Sequence, residues 1–227
     1  MNKLALFDID GTLIKGDNKQ HKLSFSYAFK KVYGVDANVD IIDHPGKTDK
    51  QIIVEVLKKK GLEEQNIRLK INEAIKEMAT FFERNISEDK LYLLDGVQTL
   101  LKELSKNNIL LGLVTGNLEP IARAKLKNVN LNDYFKLGGF GSDDEDRINL
   151  VKIAIKRAEN NFSFKFDKNV FLIGDTPRDI KAGKGAGVKT LAISTGPYSG
   201  QELKAETPDF LFEDLTYKEE ILRVILS

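Results

Sequence analysis

The sequence contains no cysteine, which excludes disulfides, cysteine-based zinc sites and a thiol nucleophile together. It has only two histidines, His21 and His44, too few for a three-histidine metal centre, and neither position suggests a role. A dominant charge is missing as well. The formal balance is +1, so no global field draws the chain to nucleic acid or to an acidic membrane surface. No basic block or basic–aromatic alternation supports nucleic-acid binding either. The longest apolar run, Ile109 to Val114, is far too short to span a bilayer. The N-terminus runs directly into an apolar segment without the charged and apolar regions of a signal peptide, so the expected location is cytoplasmic. Repeats, low-complexity tracts and Pro/Ser-rich linkers are also lacking.

What is present is an ordinary globular composition, 41% hydrophobic and 30% charged over 227 residues. That length supports one large domain or a core plus a smaller insert. Leu4 to Phe7 is apolar without alternation, as expected of a strand covered on both faces of a parallel sheet. From about Lys19 to Asn85 no comparable strand follows. Leu23, Tyr27 and Lys30-Lys31 predict an amphipathic helix ending near Gly34. Ile52, Ile53, Val56 and Leu57 predict a second, stopped by Gly61. Ile67, Ile71, Ile75, Met78 and Phe82 form the apolar stripe of a third. Tyr27, Tyr33, Phe81 and Phe82 are assigned to the core of this insert.

Beyond Leu91, strands and helices alternate. Helices are predicted around Val97–Leu104, Ile121–Leu126, Val151–Ala158, Ile180–Ala186 and Glu219–Leu226. Strands are predicted at Ile109–Val114, Val170–Ile173, Thr190–Ile193 and Phe210–Phe212. The expected fold class is therefore α/β, a doubly wound parallel sheet with a Rossmann-like core. The expected division is a core of residues 1–16 and 88–227 with a helical unit of residues 17–87 inserted after the first strand.

Asp8 and Asp10 follow the first strand at i, i+2, and an extended backbone would point both to one side. Like charges so close repel unless a cation or a proton lies between them. Asp175 and Asp179 form a second acidic pair after another apolar strand, with Pro177 suited to the first turn of the next helix. In a parallel sheet both strand ends open on the same rim, so four carboxylates could gather there and hold a hard divalent cation. Thr115-Gly116-Asn117 ends a third strand and could receive a phosphoryl oxygen, although Thr115 as a helix N-cap explains that segment equally well. Arg147 is the candidate cation to offset phosphoryl charge, with Lys152 second.

Two nucleotide-binding patterns fail. A P-loop ending in Gly46-Lys47-Thr48 would need glycine where Ile41 stands, and a dinucleotide fingerprint through Gly183 and Gly185 would need glycine at Val188.

The runs Asp8-Ile9-Asp10-Gly11-Thr12, Thr115-Gly116-Asn117 and Gly174-Asp175 through Asp179, in this order, resemble the haloacid dehalogenase superfamily of aspartate-nucleophile phosphotransferases. Gly46-Lys47-Thr48-Asp49 is similar to a loop of its phosphoglycolate phosphatase and β-phosphoglucomutase-like branch. One departure is Arg147, where that family usually offers lysine. The resemblance implies that the helical insert is a cap, that Asp8 is the nucleophile and that Asp10 is the acid–base group. It implies a Mg2+ ion held by Asp8, the Asp10 carbonyl, Asp175 and Asp179. Phosphate would be bound by Thr115, Gly116, Asn117 and Arg147, with Lys47 and Thr48 as possible cap contacts. The expected activity is a Mg2+-dependent phosphatase acting on a small phosphorylated metabolite. A phosphomutase using the same covalent intermediate is second, and a non-catalytic binding protein third. Substrate identity and oligomeric state are left open.

Overall fold

The structure is a computed structural model describing residues 3–167 and 169–227. Among the described residues there are eight strands: β1 Leu4–Phe7, β2 Ile14–Gly16, β3 Leu91–Leu93, β4 Leu110–Thr115, β5 Leu137–Phe140, β6 Val170–Gly174, β7 Lys189–Ile193 and β8 Phe210–Phe212. Six of them form one sheet in the order β5-β4-β1-β6-β7-β8, and every pairing in it is parallel.

Along β1 the apolar residues divide between the two faces of the sheet. Ala5 and Phe7 join the cluster under α4 (Val97–Lys106) and α9 (Lys218–Leu226), while Leu4 and Leu6 join the opposite cluster. The same division holds in β6, with Phe171 and Ile173 on one side and Val170 and Leu172 on the other. Burial on both faces is why these strands read as unbroken apolar runs. Phe7 is level with Leu113 of β4 and Ile173 of β6. The chain therefore leaves all three central strands at nearly the same height, and Asp8, Thr115 and Asp175 meet at one rim.

β5 is not foreseen by periodicity, because its sequence is Leu-Gly-Gly-Phe. The glycines answer a packing demand. A Cβ on Gly139 would lie 2.0 Å from the carbonyl oxygen of Leu150, on α6 (Arg147–Asn161), so that helix can approach only a strand lacking side chains there. The sequence reading also omits β2, β3 and the short helix α8 (Gly200–Ala205). β2 and β3 pair antiparallel, Lys15 opposite Tyr92, so the chain enters and leaves the helical segment along one narrow ribbon.

That segment consists of α1 (Lys19–Tyr33), α2 (Asp49–Lys59) and α3 (Glu64–Asn85). Its apolar cluster includes Phe25, Phe29, Ile53, Leu57, Ile67, Met78 and Phe82, and it is completed by Leu118 and Ile121. Those last two flank and begin α5 (Glu119–Asn128). The buried face of α1 differs from the sequence expectation: it is Phe25, Ala28, Phe29 and Val32, while Leu23 and Tyr27 are exposed. Tyr27 instead stacks on Phe81, 4.9 Å between ring centres. The remaining helix, α7 (Pro177–Ala186), follows β6. Among the described residues, no helix is long and apolar enough to cross a membrane.

Candidate active site

β1 stops at Phe7, and Asp8 is fixed at its end by a backbone bond from Asp8 N to Ile173 O of 2.9 Å. The chain then turns tightly, with Leu13 N donating to Ile9 O and Gly11 N to Ile14 O. Gly11 has φ +84, and a Cβ on it would lie 2.3 Å from Asp175 Oδ2. Glycine is required here on both counts. The turn also corrects an expectation. Extended geometry does not persist through Asp10, so Asp8 and Asp10, though they line one cavity, meet different cations, Arg147 and Lys125.

Asp8 is buried and faces Arg147, whose guanidinium stands 2.9 Å from Asp8 Oδ1 and 2.6 Å from Asp179 Oδ1. Arg147 is the first residue of α6, after the N-cap Asp146. It is only 8% exposed, so it is a buried bridging cation rather than a surface ion pair. Lys152 lies on the exposed side of the same helix. Burial pushes the Asp8 carboxyl up to about 7, against the pull of Arg147 and with the help of Asp179 and Asp10.

Asp10 is in the opposite situation. Lys125 Nζ lies 2.8 Å from each of its carboxylate oxygens, and the Asn117 amide donates to Oδ2 at 2.7 Å. Against the penalty of burial, these partners hold the Asp10 carboxyl below the usual carboxylate range. The expected convergence of four carboxylates is thus reduced to three, because both oxygens of Asp10 are committed to Lys125 and Asn117.

Asp175, Asp179 and Asp8 do converge: one carboxylate oxygen of each lies within 4.8 Å of the others. Asp179 is the third residue of α7, which Pro177 opens as expected. Its Oδ2 accepts from the backbone and hydroxyl of Thr176, closing a reciprocal cap. Asp175 Oδ1 accepts from Thr12 Oγ1 at 2.8 Å, whereas its Oδ2 is buried without a hydrogen-bond partner. Burial, then the neighbouring charges of Asp8 and Asp179, raise the Asp175 carboxyl well above its ordinary value.

Charge bookkeeping decides what this cluster fits. Three carboxylates face one guanidinium, while Asp10 is balanced separately by Lys125. Fully ionised, the cluster would carry two uncompensated negative charges in a buried place, and Asp175 Oδ2 has no hydrogen-bond partner. A divalent cation of hard character satisfies both conditions.

Thr115 is buried and accepts from the backbone and side-chain amides of Asn117. It does not cap α5, whose N-cap is Leu118. A Cβ on Gly116 would lie 2.3 Å from the carbonyl oxygen of Lys47, and Gly116 O accepts from Asp49 N at 2.8 Å. The loop before α2 is thereby pressed onto the rim. Arg178 Nε donates to Pro45 O, and Arg147 Nη1 to Gly46 O.

Together these elements form an open cavity of about 530 Å3 lined by Asp8, Asp10, Thr115, Arg147 and Asp175 below and by Lys22, Phe25, His44 and Lys47 above. Lys47 pairs with Glu55 at its edge. Thr48 is turned inward instead: its hydroxyl caps α2 through Gln51 N and donates to Glu145 O.

Two residues here are missed by sequence reasoning. Lys125 is fully buried but reads as an ordinary basic residue near the end of an amphipathic helix. His21, dismissed above for its position, lines the cavity. Its Nδ1 is 3.2 Å from Lys125 Nζ and its Nε2 is 3.2 Å from Asp49 Oδ2.

Residues 5–193 match the family described as haloacid dehalogenase-like hydrolase. A curated relative, the pyrophosphatase PpaX of Halalkalibacterium halodurans, is 26% identical over 213 residues, covering 93% of this chain and 92% of its own. The phosphoglycolate phosphatase of Vibrio vulnificus is 24% identical over 234 residues, covering 99% and 96%. A crystal structure of a "predicted phosphatase" from Clostridium acetobutylicum superposes with a TM-score of 0.73 at 18% identity, covering 98% of this chain and 99% of that one. At that identity the likeness concerns the fold.

Proposed function

The chain belongs to the haloacid dehalogenase-like hydrolases, and from that premise we propose that it is a Mg2+-dependent phosphatase of a small phosphorylated metabolite, working through an aspartyl-phosphate on Asp8. The relatives named as phosphatase and pyrophosphatase support the reaction class. The observation that carries the residue roles is the buried Asp8 carboxylate at the cavity floor, beside Arg147 and converging with Asp175 and Asp179, three acids against one guanidinium.

In this reading a phosphoryl group enters with phosphorus toward Asp8. The Thr115 hydroxyl, already accepting from Asn117, donates to a phosphoryl oxygen, and so do the amides around Gly116. The Arg147 guanidinium offsets the charge of the attacking carboxylate and of the group it attacks. Asp8 forms the new O–P bond as the bond to the leaving oxygen breaks. Asp10 must first take up a proton against the pull of Lys125; it gives that proton to the leaving oxygen and later takes one from the water that hydrolyses the aspartyl-phosphate. The Asp8 side chain, the Asp10 carbonyl, Asp175 and Asp179 would hold Mg2+, which supplies compensation for phosphoryl charge. Residues 17–87 act as a cap that closes the cavity and excludes bulk water. Lys47 is a cap-side residue open to the cavity.

The test is phosphate release from a panel of small phosphate esters, phosphoglycolate and pyrophosphate, with and without Mg2+. Asp8→Asn should abolish release, by at least about 10³-fold, while the melting temperature is kept or raised, since the change removes one of the crowded charges. Release by Asp8→Asn at the wild-type rate would remove Asp8 from the chemistry.

A further inference from the structure

The acid–base carboxylate is held by a chain of side chains that begins in the sheet layer and ends in the helical insert. Lys125 Nζ lies 2.8 Å from both oxygens of Asp10, 3.2 Å from Asn117 Oδ1 and 3.2 Å from His21 Nδ1. Four acceptor atoms thus surround one ammonium on a side chain with no exposure. His21 in turn reaches Asp49 Oδ2, which also accepts from Leu118 N at 2.8 Å. His21 is held flat against Phe25 and edge-on to Phe82, so its ring has little freedom to turn. Asp49 is the first residue of α2 and His21 lies in α1, whereas Lys125, Asn117 and Leu118 belong to the α5 region. The chain Asp10–Lys125–His21–Asp49 therefore runs from the sheet layer into the insert, and Leu118 N ties its far end back to the α5 region.

We infer that Lys125 is a positioning residue for Asp10, and that His21 makes this positioning depend on the insert being seated over the cavity. The inference rests on the reading of Asp10 as the acid–base group. A buried ammonium is tolerated only where its charge is met and its donors are used. Here that demand is met by Asp10, Asn117 and His21 together. When the insert is lifted, Lys125 loses His21, and the ammonium that fixes both Asp10 oxygens is itself less firmly fixed. Proton transfer to the leaving oxygen is then confined to the closed form, where bulk water has been displaced.

The test compares Lys125→Met, which keeps the length and loses the charge, with His21→Phe, which keeps the ring packing. kcat/KM is measured for an alkyl phosphate, whose leaving oxygen needs a proton, and for p-nitrophenyl phosphate, whose leaving group does not. A group that positions a general acid contributes about 10²–10⁴-fold only where the proton matters. Lys125→Met should therefore lower kcat/KM for the alkyl ester by at least about 30-fold and for the aryl ester by less than about threefold. His21→Phe should move the same ratio in the same direction by a smaller factor.

Equal losses on both esters would reduce Lys125 to a structural role and overturn the inference. An unchanged ratio in His21→Phe would overturn the link to the insert. A crystal structure of Lys125→Met decides the matter without activity, since an Asp10 carboxylate keeping its place also overturns it. If the wild type hydrolysed neither ester nor any of the panel, the phosphatase reading would fall, and that structure would still judge the positioning.

Discussion

Replacing Arg147 by methionine isolates the electrostatics of the rim. Arg147 is the cation between Asp8 and Asp179, at 2.9 and 2.6 Å, and methionine preserves much of its length without charge. Removing one partner of a buried ion pair typically costs about 3–5 kcal/mol, because the other charge stays buried and unpaired. For a chain of this size each kcal/mol shifts the midpoint by roughly 2–4 °C, so the metal-free variant should melt about 6–20 °C below wild type near pH 8. The deficit should depend on pH in a defined direction. A carboxyl raised in the folded state, as Asp8 is to about 7, favours folding below its ordinary value. That contribution is lost as pH rises through the folded value. At about pH 5, below its raised folded value, the Asp8 carboxyl freed by the substitution can take up a proton, and the deficit should shrink by at least half. Mg2+ at pH 8 should recover part of the loss by supplying another cation. The assay is calorimetry or circular-dichroism melting of both proteins at the two pH values, with chelator and with Mg2+. A variant melting within about 3 °C of wild type at pH 8, or showing one constant deficit at both pH values, would refute the account of Arg147 as charge compensation.

Two further outcomes test the packing around the cavity. Gly116→Ala places a Cβ 2.3 Å from the Lys47 carbonyl oxygen. The loop before α2 must retreat, and kcat/KM on any accepted ester should fall at least about tenfold with only a small change in melting temperature; wild-type kinetics would show that this close approach has no part in closure. Phe82→Ala empties a fully buried position in the helical cluster, so chemical denaturation should report a loss of about 3–5 kcal/mol. A loss below about 1 kcal/mol would mean that this cluster is loosely packed.

Much of the architecture is legible from the chain alone. β1, β4 and β6 announce themselves as apolar runs because both faces of the sheet are covered, and Asp8 and Asp175 are found because each stands directly beyond such a run. β5 escapes because close contact with α6 demands Gly138-Gly139 in place of the branched residues that mark a strand. β2 and β3 escape because a three-residue ribbon has too few positions to show alternation. In α1, the helical period alone does not say which stripe is buried, and Phe25 and Phe29, not Leu23 and Tyr27, face the interior.

Lys125 is hidden for a different reason. Its role arises from Asp10, which is 115 residues away, and nothing local in Ala124-Lys125-Leu126 separates a buried lysine from a solvated one. The contrast between Asp8 and Asp10 was equally out of reach, since it depends on which distant cation meets each carboxylate.

An opening of the helical layer away from the sheet would be resisted by Leu118 and Ile121. Both are fully buried and complete the apolar cluster of the helical layer from outside it, so swinging that layer wide wets two aliphatic side chains. At about 1.5–3 kcal/mol apiece, that exposure alone would hold a wide-open form below roughly one molecule in a hundred. A shallow rocking motion that keeps both covered avoids this penalty. The cost of a wide opening would thus fall on two residues that do not line the cavity at all.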